Sequence, residues 1–157
     1  MRTWVKASLA GVAVIAAVLA VLGGIGAYFV LRHMEKGPGS EADAAQAIDA
    51  VKARFGPRAP LVEIVDPRRG DIRINRPTDA SAARVDTVHI ISWKPGELSR
   101  ADVPLWLMRF NTLTILSSLG IAPEKFRLTV SDIERYGPGI LVDYGSPGAF
   151  RVLMWVE

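Results

Sequence analysis

Cysteine is absent from the 157 residues, which excludes disulfides, thiolate metal sites and thiol nucleophiles together. Any domain in the chain must be held by its apolar core. Histidine is scarce, with His33 and His89 the two present. Motifs that carry chemistry are missing as well: there is no Walker loop, no His-Glu-x-x-His, no calcium loop and no Gly-x-Ser-x-Gly elbow. Gly23-Gly24-Ile25-Gly26 looks superficially like a phosphate-binding turn, but it lies inside an apolar run with no strand before it, and helix packing is the better reading. No cofactor and no metal are expected.

A concentrated positive field is also lacking. The net charge is +3 and the pI near 9.5, but Arg2, Lys6, Arg32 and Lys36 against Glu35 account for all of it. Residues 40–157 carry fifteen basic and fifteen acidic side chains and sum to zero. Phosphate backbones are bound by clustered positive charge, so nucleic acid is not an expected partner.

What the chain does have is one long uncharged stretch. From Ala7 to Leu31 run twenty-five residues without a charge. As a helix they would extend roughly 37 Å at about 1.5 Å per residue, enough to cross a hydrocarbon core of about 30 Å with some tilt. Trp4 and Tyr28 stand near its ends, where aromatic rings favour the membrane interface. A cleaved secretory signal fits less well, because its apolar region is about 7 to 15 residues long. The sequence therefore predicts a short basic tail (1–6), a single-pass signal-anchor helix in the lipid bilayer (7–31), a linker (32–39) ending in Gly37-Pro38-Gly39, and one domain (40–157). Lys and Arg tie at two on each side of the span. The six-residue tail and the indifference of large domains to the charge rule place the C-terminal domain outside the cytoplasm.

Inside the apolar run, Ala10, Ala13, Ala17, Ala20, Gly24 and Ala27 recur at alternating steps of three and four. That spacing lines small residues along one stripe, and Ala13, Ala17, Ala20, Gly24 and Ala27 are read as a transmembrane self-association seam. The abundance of Ala in the segment is the competing explanation.

The domain reads as α+β with a mainly antiparallel sheet and two or three helices. Ser40 with Asp43 three residues on begins an amphipathic helix through Ala44, Ile48, Val51 and Phe55, ended by Gly56-Pro57. Three hairpins follow from alternating apolar runs around turn residues: 61–65 with 71–75, 85–94 with 97–103 across Pro95-Gly96, and 140–144 with 150–156. Pro104 starts a short helix toward Phe110, followed by an extended segment, and Thr129 caps a short turn through Arg135. The last strand has apolar side chains on both faces, which predicts an interior position.

Candidate functional groups are few. His89, in a strand beside Asp86 and Thr87, has the ionisation range of a general base, yet a lone histidine is more often a hydrogen-bonded structural residue. Asp132, Glu134 and Asp143 offer carboxylates for acid–base work. Their simpler roles are a favourable place near a helix dipole in a first turn, for Asp132 and Glu134, and solvent exposure on an alternating strand, for Asp143. Leu105, Trp106 and Phe110 form the most apolar stretch outside the anchor, read either as core or as an interaction surface. The function these features favour is a membrane-tethered, non-enzymatic module that binds or positions another envelope protein. The alternative is a small tethered hydrolase-like enzyme using the carboxylates or His89.

Overall fold

The computed structural model describes residues 34–66, 71–79, 81–108 and 129–157, together with Gly24, Tyr28 and Arg32. The chain divides into two units, Met1–His33 and Met34–Glu157. In the first, Gly24, Tyr28 and Arg32 are helical, and the Arg32 guanidinium donates to the Tyr28 hydroxyl at 3.0 Å. The rest of the 7–31 run lies outside the described residues, as do Ala13, Ala17, Ala20 and Ala27 of the small-residue seam. Among the described residues, no helix is long and apolar enough to cross a membrane.

The second unit is a small α+β domain. Its strands are β1 (Met34–Gly39), β2 (Val62–Asp66), β3 (Asp71–Ile74), β4 (Thr87–Lys94), β5 (Gly96–Pro104), β6 (Gly139–Ser146) and β7 (Phe150–Val156), with helices α1 (Glu41–Phe55) and α2 (Val130–Tyr136). They form one sheet in the order β1-β5-β4-β7-β6-β2-β3. Every neighbouring pair is antiparallel except β2 with β6. The three hairpins stand as the alternation of the sequence predicts.

Helix α1 begins where a capping box closes. The Ser40 hydroxyl accepts from the Asp43 backbone N–H at 3.1 Å, and the Asp43 carboxylate accepts from the Ser40 backbone N–H at 2.9 Å. The Ser40 hydroxyl, donating to the Asp43 carboxylate at 2.7 Å, and the Ser40 backbone N–H together hold that carboxyl below its ordinary range. Ala44, Ile48 and Val51 are the buried stripe, laid on Ile91, Ile140, Leu153 and Trp155 of the sheet. The same device starts α2, where Thr129 and Asp132 form the box.

Strand β7 lies between β4 and β6. Leu153 and Trp155 face α1, while Val152, Met154 and Val156 point to the other face, and all five are buried. This matches the interior position predicted from its two-faced apolar pattern.

The segment read as a linker differs. Met34–Gly39 is not free chain but an edge strand, paired with β5 from Met34 opposite Ala101 to Gly39 opposite Gly96. Pro38 lacks an N–H, which an edge strand tolerates because one of its sides is unpaired. Gly39 is required by proximity, since a Cβ there would stand 2.5 Å from the Leu98 Cβ. The Trp93 indole N–H donates to the Gly39 carbonyl at 3.0 Å and pins the strand's end. Pro104 likewise closes β5, and a helical turn covers 105–108. The expected continuation through Phe110 and the extended segment lie outside the described residues.

Candidate functional site

The Pro95-Gly96 turn sets the register of the β4–β5 hairpin, with Gly96 at φ +84 as the second central position of such a turn favours. Lys94 then pairs with Glu97, and residues equidistant from the turn face each other, which puts His89 opposite Asp102. Across β4's other edge, His89 is opposite Trp155. Two independent registers thus deliver three side chains to one place.

The result is a continuous polar row. His89 Nδ1 lies 2.6 Å from Asp102 Oδ1, and the imidazole stacks on the Trp155 ring with centroids 5.1 Å apart and planes 20° from parallel. Trp155 Nε1 donates to Glu157 at 2.8 Å. Arg54, in the last turn of α1, donates to the same carboxylate at 2.8 Å. Partial burial pushes the Glu157 carboxyl up, but the donors from Trp155 and Arg54, with the Arg54 and His89 charges, outweigh it and leave it lowered. His89 is one-quarter exposed and Asp102 more than half exposed, so the row is open to solvent on the Asp102 side. A carboxylate bonded to one imidazole nitrogen fixes the ring's orientation and leaves Nε2 as the second reactive position.

The acidic candidates from the sequence go elsewhere. Asp132 closes the α2 capping box and accepts from Arg76 at 3.0 Å. Burial pushes its carboxyl up, and the Thr129 and Arg76 hydrogen bonds overcome this and hold it below its ordinary range. Asp143 forms an ion pair with Lys52 of α1. Asp86 is tied through its backbone, its N–H donating to the Glu157 carbonyl and its carbonyl accepting from Leu105. Glu134 sits on α2 beside Asp132. The carboxylate that the fold brings to His89 is Asp102, a residue not singled out in the sequence. The signal was present in the two-residue turn, whose symmetry pairs the two positions. Among the described residues no group of three or more metal-ligating side chains could hold an ion.

The apolar stretch after β5 separates into two roles. Leu105, Leu107 and Met108 are buried, as the core reading expects, while Trp106 is 49% exposed. Phe110 lies outside the described residues. Comparison with protein-family models, with curated proteins and with solved structures finds no match.

Proposed function

We propose that the chain is a single-pass membrane protein whose 7–31 run spans the bilayer, and that its α+β domain is a non-enzymatic module outside the cytoplasm, binding or positioning another envelope protein. The observation that carries this reading is the engagement of the acidic candidates. Asp132 and Asp143 are bound in the contacts that cap α2 and dock α1, which are structural duties. Trp106, half-exposed next to the buried Leu105 and Leu107, is the side chain best placed to meet a partner, since exposed aromatic rings anchor interfaces.

The test uses intact membranes. A photoreactive amino acid at Trp106 should give one discrete adduct with an envelope protein, and the same group at Val65 should not. A C-terminal reporter active only outside the cytoplasm should be active. Equal labelling from both positions, or a reporter active only in the cytoplasm, would sink the reading.

One observation favours a second reading. The His89–Asp102 contact at 2.6 Å orients an imidazole as a general base requires, in keeping with a small tethered hydrolase. Under that reading His89→Gln abolishes a hydrolytic activity of the purified chain while leaving its melting temperature within a few degrees of the parent.

A further inference from the structure

Strand β3 ends the sheet, and among the described residues no strand pairs with its outer edge. We propose that this edge pairs antiparallel with β3 of a second copy of the chain, Ile72 opposite Ile72, so that the two sheets continue into one. The proposal is independent of the anchor and partner readings above and adds a self-association surface to the domain.

Backbone direction makes the first argument. The Asn75 N–H donates to the Leu61 carbonyl at 2.8 Å, toward β2. Backbone groups alternate in direction along a strand, so Arg73 also turns its N–H and C=O to β2, while Ile72 and Ile74 turn theirs outward. An open edge of this kind is completed by another strand. Residues 71–74 include no proline, whereas the opposite edge of the sheet, β1, carries Pro38 and lacks a donor there.

Charge selects the partner and the register. Asp71 and Arg73 lie on one face of β3, and both are exposed. Antiparallel pairing centred on Ile72 sets Asp71 opposite Arg73 of the second copy and Arg73 opposite its Asp71, two opposite-charge pairs about one two-fold axis. Centring on Arg73 would set that cation against itself, and parallel pairing in register would set like against like at both positions. Centring on Ile74 would bring Arg73 to Asn75 and leave no ion pair. Arg73 already reaches Glu63 of β2 at 3.4 Å with both side chains well exposed, and a guanidinium has donors for a second carboxylate. Asp71, opposite Asp66 within its own hairpin, gains a cation on its other side. On the reverse face Ile72 stands opposite Ile64, so the same register extends an apolar row through Ile64 and Ile72 of both copies.

The chain has no cysteine, so Ile72→Cys gives the full chain, in mild detergent, one thiol that can form a disulfide only with another copy. Opposite Cα atoms of a hydrogen-bonded pair stand about 5.5 Å apart, within disulfide reach. Two copies of Ile74→Cys would be displaced by four residues, roughly 14 Å along the strands. Oxidation with copper phenanthroline should give a covalent dimer from Ile72→Cys and at least tenfold less from Ile74→Cys. With Ile72→Cys in place, adding either Asp71→Arg or Arg73→Asp should remove most of the dimer, because each brings like charges together. Those two variants carry Arg at both positions and Asp at both positions, so a mixture of them should regain near-parental crosslinking, read as a heterodimer from a mass tag on one chain. Equal yields from Ile72→Cys and Ile74→Cys, no dimer from Ile72→Cys, or a mixture that crosslinks no better than either variant alone would overturn the proposal.

Discussion

Truncating Leu153 to Ala tests the architecture at its centre. Leu153 is 0% exposed on the middle strand of seven, opposite Ile91 on one side and Asp143 on the other, with Ile48 and Val51 of α1 in the same cluster. Deleting a buried Leu to Ala costs about 2 to 5 kcal/mol, more where the surroundings cannot collapse into the gap. Strands hydrogen-bonded on both edges cannot shift independently, which places Leu153→Ala in the middle of that range, about 3 to 4 kcal/mol. A domain of this size loses about 4 °C in melting temperature per kcal/mol, so a fall of roughly 12 to 16 °C is expected. The assay is thermal unfolding of the full chain in mild detergent, followed by near-ultraviolet circular dichroism. Val65→Ala is the control, since Val65 is 56% exposed and exposed substitutions typically stay within about 0.5 kcal/mol. A loss below about 1 kcal/mol, or one equal to the control's, would refute the placement of Leu153 in the core.

Three further outcomes are expected. The Asp132 carboxyl is lowered in the folded domain, so its stabilisation is complete above its unfolded value of about 3.9 and is lost as pH falls through the folded value. Asp132→Asn should accordingly flatten the loss of stability below about pH 4, and an unchanged acid limb in pH-dependent urea unfolding would contradict the capping role. Trp93→Phe removes the hydrogen bond to Gly39 and should cost about 1 kcal/mol while raising hydrogen exchange in β1 more than in β6, with uniform exchange as the contrary result. In membranes, Ala17→Ile with Gly24→Ile should abolish crosslinking of the isolated span if the seam joins two copies, and Val14→Ile with Val18→Ile should leave it intact. Matching behaviour of the two pairs would rule the seam out.

Local signals in the sequence were reliable because their partners are close along the chain. The boxes at Ser40–Asp43 and Thr129–Asp132 need only three residues of context, and each hairpin has its turn between its strands. What escaped depends on distant chain. Met34–Gly39 has the composition of a linker, and only β5 makes it a strand. The parallel contact of Val62 with Val142 joins two hairpins that no local pattern relates. Asp102 escapes for a different reason: the hairpin is legible and its register implicit, but the pairing of His89 with Asp102 across the turn has no counterpart among neighbours along the chain.

The position of β7 bears on how the chain is made. Among the described strands, the one that joins the β1-β5-β4 half of the sheet to the β6-β2-β3 half comes last in chain order. At about 5 to 20 residues per second, roughly 6 to 24 s separate the appearance of Met34 from that of Val156. Until β7 is available, β4 and β6 have no strand between them, and unpaired edges are prone to wrong pairing. The described sheet therefore closes only at the end of this order, and its two halves are joined by a strand that follows both of them in the chain.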